Sequence, residues 1–175
     1  MGFSRARPRI LIAGLGNSLL TDDGIGVHVV RGLRKDFSPG TLAVEVGTAV
    51  LDALHLFEWA DKILAVDAMQ AGGLPGKVYA SDIHDMEESA SRASLHELSL
   101  LAALRFLPDQ RRPEVVVLGI EPEKIDYGLD LSPTLQALMP RYLQVVNTLT
   151  AGWKRNFNLQ NRMEALEALV RPSHI

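Results

Sequence analysis

The sequence predicts a three-layer α/β sandwich, with a mostly parallel twisted sheet of about five strands and helices on both faces. Two features carry this expectation. Short, nearly continuous apolar runs at Ile10–Ala13, Ile63–Val66 and Val115–Leu118 have the length and β-branched content of strands buried on both faces. Between them lie segments whose apolar residues recur at helical spacing, and a parallel sheet covered by its crossover helices accommodates that alternation.

Taken in order, Arg9–Ala13 reads as the first strand, closed by Gly14-Leu15-Gly16-Asn17. After Asp22-Asp23-Gly24, Ile25, Val29, Val30 and Leu33 mark a helix to about Lys35, which Ser38-Pro39-Gly40 ends. Leu42–Val46 is a second strand, Ala49–Trp59 a second helix and Ile63–Asp67 a third strand. Lys77–Ser81 alternates apolar and polar residues, as a half-exposed, antiparallel edge strand would. Ser94 and Glu97 form a capping-box pair opening a helix with Leu98, Leu101, Ala102 and Leu104 inward. Val115–Gly119 is another buried strand. Ser132-Pro133 suits the N-cap and first position of a helix striped by Leu135, Leu138, Tyr142, Val145 and Val146 toward Leu149. The expected division is an N-terminal arm over 1–8, one α/β domain over 9–150 and a helical tail over 151–175, with a short helix near Met163–Val170.

Composition removes several function classes. The 175 residues carry a formal charge of −3, giving no excess positive field for a nucleic-acid backbone. With no cysteine, the chain has no disulfide, no thiolate metal site and no cysteine nucleophile, so any metal must sit on nitrogen and oxygen ligands. No apolar run is long enough for a membrane span and no secretory signal is readable, so the expected location is cytoplasmic.

In open α/β sheets, binding sites gather beyond the carboxyl ends of the strands, where strand order switches direction. Gly14–Gly24, Glu45–Thr48 and Asp67 fall in that zone, and His96 lies at a helix start. The glycine loop is a poor dinucleotide site: Leu19 stands where a third glycine belongs, and Asp22 and Asp23 would repel a pyrophosphate. Helix capping accounts for one of these two acids and leaves the other free. That free carboxylate, Asp67 and His96 form a nitrogen–oxygen set suited to a divalent transition ion with coordination positions left open. His28 and His55 lie within helical patterns, and His84 and His174 have no comparable setting.

The segment Gly14-Leu15-Gly16-Asn17-Ser18-Leu19-Leu20-Thr21-Asp22-Asp23-Gly24-Ile25-Gly26 resembles the opening signature G-x-G-N-x-L-x-x-D-D/E-x-x-G of the hydrogenase maturation endopeptidases. Val66-Asp67-Ala68, Ser94–Leu98, Gly119–Pro122 and Gly128–Pro133 match the same family in order and spacing. The resemblance implies Asp23, Asp67 and His96 as metal-binding residues. It implies a nickel-dependent endopeptidase that removes the C-terminal extension of a nickel–iron hydrogenase large-subunit precursor, with nickel supplied by that precursor. The family's D-G-G-T after the second strand stands here as Glu45-Val46-Gly47-Thr48, which implies substrate contacts at Glu45, Gly47 and Thr48. Glutamate lengthens the reach of the carboxylate, and valine narrows the backbone beside it. No Ser/His/Asp arrangement is evident in the sequence, and the general base is not identified.

Two alternatives stand beside this reading. Peptidyl-tRNA hydrolases also open with a strand and Gly-Leu-Gly-Asn, but this chain has Thr21-Asp22-Asp23-Gly24 where they carry a basic stretch. A non-catalytic chaperone for nickel or for the precursor would share the same metal-binding features.

Overall fold

The computed structural model describes residues 7–33, 37–83 and 94–154. A five-stranded sheet runs through its centre in the order β2-β1-β3-β5-β4, formed by β1 (Ile10–Leu15), β2 (Thr41–Gly47), β3 (Lys62–Ala68), β4 (Val78–Asp82) and β5 (Glu114–Ile120). β2, β1, β3 and β5 are parallel, and the edge strand β4 pairs antiparallel with β5. β1 is buried throughout and β3 and β5 nearly so, as their continuous apolar runs require.

Side chains alternate across the sheet and so divide the core in two. Ile10, Ile12, Leu64, Val66, Val116 and Leu118 face α1 (Ile25–Gly32) and the long C-terminal helix. Leu11, Ala13, Ile63, Ala65, Val115 and Val117 face α2 (Leu54–Trp59) and α3 (Leu95–Leu104). The expected three-layer sandwich is therefore present.

Several elements differ in extent from the sequence reading. α1 stops at Gly32 rather than near Lys35, because Leu33 turns to an extended conformation. The second helix begins as a 3-10 turn, Val50–Ala53, and becomes α-helical at Leu54. On α3 the buried face is Glu97, Leu100, Leu101, Ala103 and Leu104, while Leu98 and Ala102 turn outward. The capping box sets this rotation: Ser94 Oγ accepts from Glu97 N, Glu97 Oε2 accepts from Ser94 N, and Glu97 is drawn inward. The last helix, α4 (Pro133–Lys154), passes the expected boundary at residue 150 without a break. The helix expected at Met163–Val170 lies outside the described residues. Among those described, no helix is long and apolar enough to cross a membrane.

Glu121 organises the turn between β3 and β4. Its buried carboxylate accepts from Ala71 N at 3.0 Å, Gly72 N at 3.2 Å and the Tyr79 hydroxyl at 2.8 Å. Burial pushes this carboxyl up, but the Tyr79 hydroxyl and the N–H groups of Ala71, Gly73 and Gly72 outweigh it and hold the group below the usual glutamate range. A depressed folded-state pKa adds stability above the unfolded value, and that stability is lost as pH falls through the folded one. Glu121→Gln is expected to cost about 1.5–3 kcal/mol at neutral pH, the usual worth of a hydrogen bond to a charged group. Thermal melts at a series of pH values should show the gap between parental and variant proteins narrowing as pH falls below the ordinary glutamate range; a gap constant with pH would contradict the assignment.

Candidate active site

The chain passes from β1 to β2 on one side and then to β3 on the other, so the carboxyl ends of β1 and β3 flank a switch point. A cavity of about 520 Å³ opens there. The loop after β1 contributes Asn17 and Asp23, the end of β2 Thr48, the end of β3 Gln70, and the start of α3 Ser94 and His96; Leu20, Leu95 and Ile125 form apolar walls. A slightly larger groove, about 630 Å³, lies behind the Gly72–Gly76 turn. Its lining includes Lys77 and Arg141 but no acid or histidine, so it offers no carboxylate or imidazole to a metal ion.

Local backbone geometry explains how two adjacent aspartates part company. Thr21 adopts a left-handed conformation, φ 45°, which costs a β-branched residue free energy. Its hydroxyl donates to Lys124 O at 2.7 Å and accepts from Asp126 N at 3.1 Å, and its N–H donates to Gly128 O at 2.9 Å. Asp22, fully buried, accepts from Glu123 N at 2.9 Å, Lys124 N at 3.0 Å and Ser132 N at 2.7 Å. It secures the loop after β5 rather than capping its own helix. Asp23 turns the other way, into the cavity, where Oδ2 accepts from Asn17 N at 2.9 Å.

His96 lies between two carboxylates, with Nδ1 3.4 Å from Asp67 Oδ1 and Nε2 3.9 Å from Asp23 Oδ2. The Asp67 carboxylate raises the His96 pKa; burial opposes it, and Asp23 and Glu97 add to the rise. Burial raises the pKa of Asp67, with His96, Ser94 and Ala68 working against it. Glu97, also fully buried, is pushed up to about 7 by burial. A strand-end position suggests an exposed Asp67, but the first turn of α3 covers it and it has no accessible surface.

Of the three expected metal-binding residues, Asp23 and His96 line the cavity, and Asp67 lies buried directly behind His96. Their donor set is two carboxylates and an imidazole whose buried Nδ1 makes no hydrogen bond, which fits a borderline divalent ion. The ring presents one nitrogen to each acid, and among the described residues no three side chains are already arranged around a common ion position. Ligation would require the imidazole to lose any second proton and to turn one nitrogen toward the space the acids share.

The other expected contacts divide. Thr48 lines the cavity, and Gly47 stands beside it at φ 60° with its carbonyl accepting from Gly16 N at 3.3 Å. Glu45 is not brought there: Oε2 pairs with Arg31 of α1 at 2.9 Å on an exposed face of the molecule. The sequence reading missed Asn17, Gln70 and Ser94; the Ser94/Glu97 capping pair was its one signal for the last. Ser94, His96 and Asp67 do come together, but in the wrong order for a nucleophile. The Ser94 hydroxyl donates to Asp67 and accepts from Glu97 N, so no imidazole takes its proton.

The family model described as hydrogenase maturation protease matches residues 27–149, a span that includes Asp67 and His96. The chain belongs to the hydrogenase maturation protease family. This maturation protease is 31% identical over 147 residues to the hydrogenase 2 maturation protease of Escherichia coli K12, covering 79% of this chain and 88% of that one. It is 31% identical over 145 residues to a hydrogenase expression/formation protein of Azotobacter vinelandii, covering 79% and 70%. Among solved structures, it is similar to the hydrogenase maturating endopeptidase HybD of E. coli, with a TM-score of 0.72, 26% identity, and coverage of 85% and 94%. A hydrogenase maturation protease of Thermococcus kodakarensis gives a TM-score of 0.69 at 29% identity, covering 81% and 98%. Membership of this family makes the protein a peptide-bond hydrolase and sets aside the peptidyl-tRNA hydrolase relationship.

Proposed function

We propose that this maturation protease removes the C-terminal extension from the precursor of a nickel–iron hydrogenase large subunit after nickel insertion, and that Asp23, Asp67 and His96 hold the nickel the precursor carries. The observation that carries the reading is the placement of His96 between Asp23 and the buried Asp67 at the edge of the cavity beside the sheet's switch point. Asp23 offers oxygen donors from the turn that follows β1, Asp67 from the end of β3, and His96 a nitrogen from a helix start. Holding the precursor's ion there would fix the nearby peptide bond relative to the protein, and positioning of this kind lowers a barrier without a covalent intermediate. Nickel, when bound, supplies Lewis acidity toward a water or a carbonyl oxygen. The apolar side chains of Leu20, Leu95 and Ile125 at the cavity offer contacts for an incoming polypeptide. A cysteine-free chain is indifferent to reducing conditions, consistent with action in the cytoplasm.

The test is incubation with nickel-loaded and nickel-free precursor side by side, with the precursor's C-terminus read by mass. Only the loaded form should be shortened. His96→Ala should lower the rate by ~100-fold or more, while His55→Ala, an exposed histidine on α2, should process normally. Equal cleavage of nickel-free precursor would remove the nickel requirement. Parental protein that binds the loaded precursor but leaves its mass unchanged would point to the chaperone role instead.

A further inference from the structure

We propose that Ser94 is a positioning residue that decides which oxygen of the buried Asp67 faces His96 and ties that choice to the placement of the imidazole. This rests on the reading of Asp23, Asp67 and His96 as the nickel-holding group. The two oxygens of the buried Asp67 carboxylate are not equivalent. Oδ2 accepts from Ser94 Oγ at 2.5 Å, whereas Oδ1 accepts from Ala68 N at 2.9 Å and lies on the side of His96 Nδ1. A carboxylate turns about a broad, two-fold torsion, and Ala68 N holds one oxygen only, so the Ser94 hydroxyl on Oδ2 is the second anchor of its orientation.

The capping box supplies that partner with a defined direction. A serine hydroxyl has one proton to give. Glu97 N donates to the Ser94 oxygen at 3.1 Å, which leaves the proton to point at Asp67. Ser94 N in turn donates to Glu97 Oε2 at 2.7 Å, so the residue is held at its backbone as well as its side chain. His96 follows two residues later in the same helical turn. One hydroxyl thereby connects the orientation of a β3 carboxylate to the first turn of the helix that carries the imidazole.

Ordinary N-capping makes a different demand. A cap requires only an acceptor, and glycine at this position costs helices little. Positioning Asp67 requires a donor. Ser94→Thr keeps both donor and acceptor, whereas Ser94→Gly removes the donor at small cost to the helix, and Ser94→Ala is a second variant without a hydroxyl.

The experiment titrates parental protein, Ser94→Thr, Ser94→Gly, Ser94→Ala and Asp67→Asn with Ni²⁺ alone by calorimetry, alongside thermal melts and processing of nickel-loaded precursor. Ser94→Thr should stay within about twofold of the parental protein. The hydroxyl-free variants should lose ~10–100-fold in Ni²⁺ affinity and in processing rate, the usual effect of removing a partner that orients a metal ligand. Either of them that melts above the assay temperature decides the matter. Parental affinity and rate in such a variant, or equal impairment in Ser94→Thr, would overturn the proposal. Parental behaviour of Asp67→Asn would instead overturn the underlying site, and an impaired Asp67→Asn beside an unimpaired Ser94→Gly would remove the role of Ser94 alone.

Discussion

Asp22→Ala and Asp23→Ala, changes of the same chemical kind at adjacent positions, are expected to fail in opposite ways. Removing the Asp22 carboxylate leaves the N–H groups of Glu123, Lys124 and Ser132 without their acceptor. Ser132 is buried and the other two residues are exposed, so water can compensate only in part, and the expected loss is about 2–4 kcal/mol. For a domain of this size that lowers the melting temperature by roughly 5–15 °C. Asp23→Ala gives up a single bond from Asn17 N and should shift stability by about 1 kcal/mol. On the proposed role of Asp23 in holding the precursor's nickel, processing of nickel-loaded precursor should nevertheless fall ~100-fold or more, through lost alignment of the reacting bond. Melts and rates on the two variants provide the check. An unstable Asp23→Ala with a stable Asp22→Ala would reverse the assignment.

Gly16→Ala is expected to damage both fold and site. Gly16 has φ 108°, where an L-residue pays about 1–2 kcal/mol. A Cβ there would also lie 1.9 Å from Asp23 O and 3.4 Å from Asp67 Oδ1. The first contact is with backbone, which must move, and overpacking of that sort costs about 1–3 kcal/mol more. The displaced segment carries Asp23, so Ni²⁺ affinity and processing should fall together with the melting temperature. As a comparison, Gly72→Ala has a similar positive φ of 79° but nothing within 4 Å of its Cβ. It should show only the conformational cost. Equal losses at the two glycines would mean that crowding at Gly16 contributes nothing.

These expectations also show which parts of the molecule were legible in the sequence. The buried strands were readable because burial on both faces leaves an unbroken apolar run, as at Ile10–Ala13 and Val115–Leu118. The capping box at Ser94 and the helix start at Pro133 were readable because their signals are local. What could not be read depends on distant partners. Asp22 and Asp23 are indistinguishable by position, and only backbone donors about a hundred residues away decide which is structural. Ser94 looks like a plain cap until Asp67, 27 residues earlier, is seen to accept its proton. The buried side of α3 was misjudged for a related reason: the spacing of leucines admits two faces, and the inward pull of Glu97 selects between them. Glu45 departs from the family's aspartate at that position, and Arg31 on the neighbouring helix holds it on another surface.

The parallel pairing of β1 with β3 has a further consequence. Gly14 stands opposite Val66 in that ladder, so the peptides leading to Asp23 and to Asp67 itself set out from adjacent rungs. Adjacent strands in a sheet lie about 4.8 Å apart, an interval that main-chain hydrogen bonds fix and side chains scarcely alter. The floor of the cleft is thus set by the backbone ladder, whereas Asp23, on the turn Thr21–Gly24 beyond β1, is placed by its loop. On the proposed function, adaptation to a different ion or a bulkier incoming peptide is therefore open through the loop that carries Asp23 or ring placement at His96, and closed to any gradual widening of the strands beneath them.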